Sequence, residues 1–456
     1  MGRVRLLAAA GSALLAVSGA IATTGEPAVA DPATSTFEPA VTQQLDDLID
    51  GSVALGVTGI SVLVDVPGAG SYERSAGTAD FAGTTPLPDD AKFRIGSITK
   101  TFTATVVLQL VEEGLGGLSL DDPISDFAAA WAPAALPFES QVTVEQLLNH
   151  TSGIADYGSN ATWQNLAQTD TNTFTAAELV DFAVQQPVDA APSCAVPKAT
   201  NTAPPAPWCY SNTNFILLGQ IVEAVTGNPI QDEIETRILQ PLGLTATSYP
   251  LTSLAMPPPA TEGTGTIVNL ATGQILDQGP FGPINPSGFG AAGALISGRA
   301  DVVDWVAALT DGQLLSPAAQ SARLNDLVDT GVGLAAFPNL PGAGTAPVFA
   351  TTQYGQGIFK VGTFYGHNGE VNGWESVALR DPSTGMTVVI VQNASVLTGM
   401  EVDGQIVDVD LTSFPTNLFA NILGIVPAPS PSPSPRPVPP ETGAAQPVAA
   451  TPRFTG

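Results

Sequence analysis

Histidine, cysteine and lysine are all scarce in this chain of 456 residues, which has two, two and four of them respectively. The histidines, His150 and His367, lie far apart and neither has ligand spacing, so no metal site and no cofactor is expected. Charged residues make up only 12% of the chain and are lopsided, with 14 basic against 42 acidic and a net charge of −28. A surface this acidic repels nucleic acid and anionic membrane, which argues against both as partners. Long apolar runs are also missing after the first thirty residues, so no membrane span is expected in the mature protein.

The N-terminus is different. Arg3 and Arg5 precede an Ala- and Leu-rich stretch, Leu6 to Ala22, and Ala28-Val29-Ala30 offers a small-x-small cleavage site. That layout reads as a secretory signal peptide over residues 1–30, leaving a secreted or wall-associated protein. In such a compartment the pair Cys194 and Cys209 reads as a disulfide closing a short Pro-rich loop. At the other end, Pro427 to Pro435 alternates proline with small residues, and 426–456 reads as an extended, disordered tail.

Between these ends, periodicity outlines one large domain over 31–425. A helix is expected at Phe37 to Leu48, followed by strands at Gly59 to Val66 and Ser71 to Ala79. Ser97 to Glu113 is apolar almost all round and reads as a buried central helix. Helical patterns and long loops dominate residues 105–292, with further helices at Ala300 to Leu309 and Pro317 to Leu327. Strand patterns return at Ile358 to Tyr365, Trp374 to Asp381 and Met386 to Asn393, before a closing helix at Thr412 to Leu423. The fold class is therefore α+β: an antiparallel sheet flanked by helices and built from both chain ends (31–104 and 293–425). A mainly helical lobe (105–292) is inserted between them.

Chemistry concentrates in Phe93-Arg94-Ile95-Gly96-Ser97-Ile98-Thr99-Lys100. A serine hydroxyl needs a neighbouring base, and on a helix Lys100 shares a face with Ser97 one turn away. Placed at the first turn, the Ser97 N–H could also stabilise an oxyanion. A helix cap and a solvated lysine explain the same residues, yet retaining a rare lysine on an apolar helix is informative. Two later motifs add weight: Tyr210-Ser211-Asn212 just before a helix, and His367-Asn368-Gly369 on an expected strand.

With these in view, the chain resembles soluble serine D-alanyl-D-alanine carboxypeptidases and class C β-lactamases, with their esterase and aminopeptidase relatives. The similarity spans roughly residues 37–424. It is carried by Phe93 to Gly114, Leu147 to Gly153, Tyr210 to Gly219, Pro241 to Leu244, Gly293 to Asp301, Tyr354 to Gly357 and Gly366 to Gly373. The resemblance implies a β-lactamase/transpeptidase-like fold and a monomer. It makes Ser97 the nucleophile, Lys100 its activator, and Tyr210 the general base and later acid. Asn212 would contact a substrate amide, and the oxyanion hole would be the N–H groups of Ser97 and Glu370. His367, Asn368 and Gly369 would line the cleft, whereas His150 is expected to be structural. Asn368 replaces a threonine of the carboxypeptidases. Their carboxylate-binding arginine falls near Phe359, leaving Lys360 as a substitute. Substrates implied are a small peptide, ester or β-lactam, with peptidoglycan as a partner and D-Ala-D-Ala carboxypeptidase activity as the leading reading. Esterase or β-lactamase activity, and a non-catalytic wall-binding or ligand-sensing protein, are the alternatives.

Overall fold

The computed structural model describes residues 33–167, 172–189, 200–269, 274–334, 349, 351–402, 405–408 and 414–428. In chain order, β1 (Thr34–Ser35), α1 (Pro39–Ala54), β2 (Gly59–Val66) and β3 (Gly70–Gly77) come first. Short β4 (Lys92–Arg94) then leads through a tight turn into α2 (Thr99–Glu113). The middle of the chain holds short helices, the longer α3 (Asn212–Thr226), and strands β5 (Thr264–Asn269) and β6 (Gln274–Pro280). After β7 (Ile296–Gly298) and α4 (Arg299–Asp311) come β8 (Val328–Asp329), β9 (Gln353–Tyr354), β10 (Phe359–Val361) and β11 (Phe364–Val371). β12 (Trp374–Arg380), β13 (Thr387–Gln392), β14 (Ala394–Val402), β15 (Gln405–Asp408) and α5 (Phe414–Ile425) finish it.

Among the described residues, nine strands form one antiparallel sheet in the order β1-β3-β2-β13-β12-β11-β10-β9-β8. Its centre joins the two chain ends, since β2 pairs with β13 from Ile60 opposite Gln392 to Asp65 opposite Thr387. β13 is buried along its whole length, which is why it reads as a continuous β-branched run rather than an alternation. Val388 and Ile390 point into a core shared with Leu45, Leu48, Leu418 and Phe419 of α1 and α5. Val389 and Val391 point the other way, into the core that holds Phe102 of α2 and Trp305 of α4. Those two rings stack at 3.8 Å between centroids.

Two expectations are corrected. The strand expected at Ile358 to Tyr365 is a hairpin, in which Val361 pairs with Phe364 across a two-residue turn. Gly362, first of the turn residues, has φ 60°, a geometry glycine supplies at that place. His367-Asn368-Gly369, expected on a strand, lies in the middle of β11. The block 105–292 also contributes β5 and β6 to a four-stranded sheet, β15-β14-β5-β6. No residue of β6 is buried, so it lacks the apolar alternation that marks a strand in sequence. The expected leader and most of the Pro-rich tail lie outside the described residues. No helix among the described residues is long and apolar enough to cross a membrane.

Candidate active site

Ser97 stands in the turn Gly96–Ile98 that joins β4 to α2. Gly96 has φ 49°, and a Cβ there would come within 2.5 Å of the Glu370 nitrogen. Gly369 on β11 has no room for a Cβ either, because the Ile95 carbonyl occupies that space. These two glycines let the β11 backbone lie against the serine turn, so the Glu370 main chain sits beside Ser97. Ser376 on β12 fastens the turn from below, its hydroxyl donating to the Ile95 carbonyl at 3.1 Å.

One turn into α2, Lys100 is fully buried. Its Nζ lies 2.9 Å from Ser97 Oγ, 2.7 Å from Asn212 Oδ1 and 2.8 Å from the Ala292 carbonyl. Burial lowers the amine to about 7, opposed in part by the charge of Asp156. A neutral amine has two N–H donors and one lone pair. The two carbonyl oxygens can only accept, so they take both donors, and the lone pair is left to face the Ser97 hydroxyl.

Tyr210 closes the constellation from the other side, its hydroxyl 2.8 Å from Ser97 Oγ. Desolvation pushes its phenol far above the ordinary range. Tyr210 was expected as general base and later acid; burial raises its phenol while it lowers the amine of Lys100. The Lys100 amine lies 4.9 Å from the centre of the Tyr210 ring. Behind that ring is His150, 4.5 Å away between centroids. His150 is buried, and its Nδ1 accepts from the Ser211 N–H and the Asn214 amide, both at 3.2 Å. Its carbonyl accepts from the Cys209 N–H. His150 thus holds the segment Cys209 to Ser211 and the start of α3 in place without reaching Ser97.

Asn212, expected to contact a substrate amide, is the first residue of α3. Its Oδ1 receives Lys100, while its N–H and Nδ2 each donate to Asp156 at 3.1 Å. Asp156 is buried and also accepts from the Gly158 N–H at 3.1 Å. Sequence reasoning missed it, although Asp156 follows His150 by six residues in the same loop and has the Asp-x-Gly spacing of a local turn. Ala292 was also missed; it supplies only a carbonyl, so no side-chain signal exists.

On β11, His367 is buried, with Nε2 3.1 Å from the Tyr354 hydroxyl and Nδ1 donating to the Asn368 carbonyl. Burial and the nearby Lys100 lower it to about 3, so it packs as a neutral ring 6.4 Å from that of Tyr210. Asn368 is half-buried and Glu370 exposed at the strand's end. Lys360 turns to Tyr365, its ammonium 5.3 Å from that ring's centre. Phe359 instead packs on His367, Tyr354 and Trp208, with centroids 4.9, 4.6 and 6.2 Å apart. Cys209 is buried, and Cys194, its expected disulfide partner, lies outside the described residues.

The Beta-lactamase family model matches residues 45–410. This chain belongs to the beta-lactamase family. It is 28% identical to the esterase EstB of Burkholderia gladioli over 71% of this chain and 83% of that one. With penicillin-binding protein 4 of Amycolatopsis lactamdurans it shares 27% identity, covering 81% of this chain and 85% of the other. Among solved structures, a D-stereospecific amidohydrolase from Streptomyces sp. superposes with a TM-score of 0.61 at 30% identity. That match covers 78% of this chain and 95% of that one. D-amino acid amidase from Ochrobactrum anthropi SV3 gives a TM-score of 0.63 at 27% identity, over 84% and 98% of the two chains. The α+β sheet and the described serine–lysine–tyrosine cluster accord with a serine hydrolase of this family.

Proposed function

We propose that this beta-lactamase-family hydrolase forms an acyl-enzyme on Ser97 from small esters or amides whose bound end is uncharged. The observation that carries the substrate reading is half-buried Phe359, which packs on the rings of Trp208 and Tyr354. It stands where the resemblance puts a carboxylate-binding arginine, and Lys360 is turned to Tyr365. The esterase and amidase relatives support the same reading.

In acylation, neutral Lys100 takes the Ser97 hydroxyl proton as Oγ attacks the acyl carbon. The N–H groups of Ser97 and Glu370 receive the oxyanion. Tyr210 then gives its proton to the leaving oxygen or nitrogen, and the Lys100 ammonium returns one to the phenolate. Water reverses the sequence, releasing the acid and restoring Ser97. The signal-like N-terminus supports export, so the substrate would be met outside the cell membrane.

A D-Ala-D-Ala carboxypeptidase is the second reading, favoured by the similarity to penicillin-binding protein 4 over most of both chains. One comparison separates the two. Purified protein, with Ser97→Ala as control, is given a p-nitrophenyl ester, D-phenylalanine amide and diacetyl-lysyl-D-Ala-D-Ala. The ester and amide are expected to be cleaved in preference. A tripeptide turned over faster than both would favour the carboxypeptidase instead.

A further inference from the structure

Asp156 is a buried carboxylate that the acylation scheme does not use. All three of its hydrogen bonds come from donors: the N–H of Gly158, and the N–H and Nδ2 of Asn212. A carboxylate can only accept, so it dictates which way the Asn212 amide faces. The Nδ2 must turn to Asp156, and Oδ1 must turn to Lys100, 2.7 Å away. That orientation is assigned from the network itself, and the network leaves only one choice.

We infer that Asp156 is the positioning residue of this site: by fixing the Asn212 amide, it makes Lys100 spend a donor there and aim its lone pair at Ser97. The inference rests on the acyl-enzyme reading above. If Asp156 carried an N–H group in place of one oxygen, Asn212 would turn over to meet it. Its Nδ2 would then face Lys100 and compete with the Ser97 hydroxyl for the amine's lone pair. The charge of Asp156 also acts on buried Lys100 and partly offsets the desolvation that lowers the amine.

Few other groups face the pair. Tyr157 and Tyr210 face Asp156, and both phenols are raised by burial. His150 and His367 face Lys100, and both imidazoles are lowered by burial. The exposed carboxylate of Glu370 acts on Tyr210. Neither the two phenols nor the two imidazoles are expected to change charge between about pH 5 and 9. The pH response of Ser97 in that range therefore belongs to Lys100 and Asp156, which titrate as a unit.

The test is the rate at which an alkyl fluorophosphonate labels Ser97, followed by mass spectrometry across pH. In the wild type, labelling should rise with pH through about 7 as Lys100 loses its proton. Asp156→Asn should lower the high-pH plateau by about ten- to hundredfold. It should also move the midpoint down by about half a unit or more, because the lysine loses its counter-charge and meets a donor. The swap Asp156→Asn with Asn212→Asp gives Lys100 an acceptor again, now charged, and should move the midpoint above the wild type. Thermal melts establish that each variant is folded. A single variant labelled within twofold of wild type, or slowed with an unmoved midpoint, would overturn the inference. Failure of the wild type to label at Ser97 would instead bring down the acyl-enzyme reading, and this inference with it.

Discussion

The Lys100 amine and the Asp156 carboxylate are joined through a neutral group, the Asn212 amide, which lies 2.7 Å from the one and 3.1 Å from the other. Both ends of this bridge are buried. Direct contact would hold the lysine charged, because an ion pair in a dry site is hard to separate. Separation by an amide leaves desolvation as the larger effect, and the amine falls to about 7. A lysine that can be neutral near physiological pH is what a serine nucleophile needs.

Activity should follow that amine. Hydrolysis of an aryl ester is expected to rise with pH and level off above about 7. Lys100→Met should remove the rise and lower kcat by about a thousandfold. Initial rates across pH check both, and an unchanged profile in the variant would exclude Lys100 as the proton acceptor.

Stability should carry the same signature. Folded Lys100 gives up its proton near 7, whereas in the unfolded chain it keeps it to about 10.5. Between those values the unfolded state binds more protons, so this group makes the fold more stable as pH rises. Between pH 7 and 9 the gain is up to about 3 kcal/mol. Urea unfolding of wild type and Lys100→Met at both pH values isolates it. The wild type should gain on the variant as pH increases.

Tyr210→Phe keeps the ring that packs on His150 and removes only the hydroxyl. A fall in kcat of about 10²–10⁴ with KM nearly unchanged is expected. The loss should be larger for an amide than for an aryl ester, whose leaving group needs no proton. Equal losses on both would contradict the role of Tyr210 as acid.

His150→Ala should act on folding first. The change strips acceptors from the Ser211 N–H and the Asn214 amide and opens a cavity beside Tyr210. A destabilisation of about 3–5 kcal/mol follows, to be measured by denaturant titration. A fully stable variant without activity would instead place His150 in the chemistry.

Replacing Phe359 with arginine tests the substrate reading. A guanidinium there could hold a C-terminal carboxylate, and kcat/KM on a D-Ala-D-Ala peptide should rise about ten- to hundredfold. Ester hydrolysis should fall or stay level. Loss of both activities would mean that Phe359 only supports the packing of His367 and Tyr354.

Much of this site was legible because its parts are local. Ser97 and Lys100 are fixed by helical spacing, and Tyr210-Ser211-Asn212 by its place just ahead of α3. Gly114 and Gly227, glycines directly after apolar helical runs, end α2 and α3 with φ of 61° and 74°. The central strand β13 announced itself through its β-branched run, Thr387 to Val391, and β2 through Ile60, Val62, Val64 and Val66 at every second position. Asp156 was not legible, because its importance comes from facing Asn212 across 56 positions of chain. Ala292 contributes a carbonyl that any residue would carry. The direction Lys360 takes follows from the β10–β11 hairpin, and the exposed turn at Gly362 left no apolar pattern to reveal it. The low amine of Lys100 and the neutral ring of His367 are likewise products of burial, which composition does not specify.

The central claim is that Ser97 carries the acyl group. Rapid acid quench of the enzyme during turnover of a slow ester or a β-lactam, followed by peptide mass spectrometry, measures that directly. The account predicts one acyl adduct on the peptide containing Ser97, and none in Ser97→Ala. An adduct on another residue, or undiminished hydrolysis by Ser97→Ala, would contradict it.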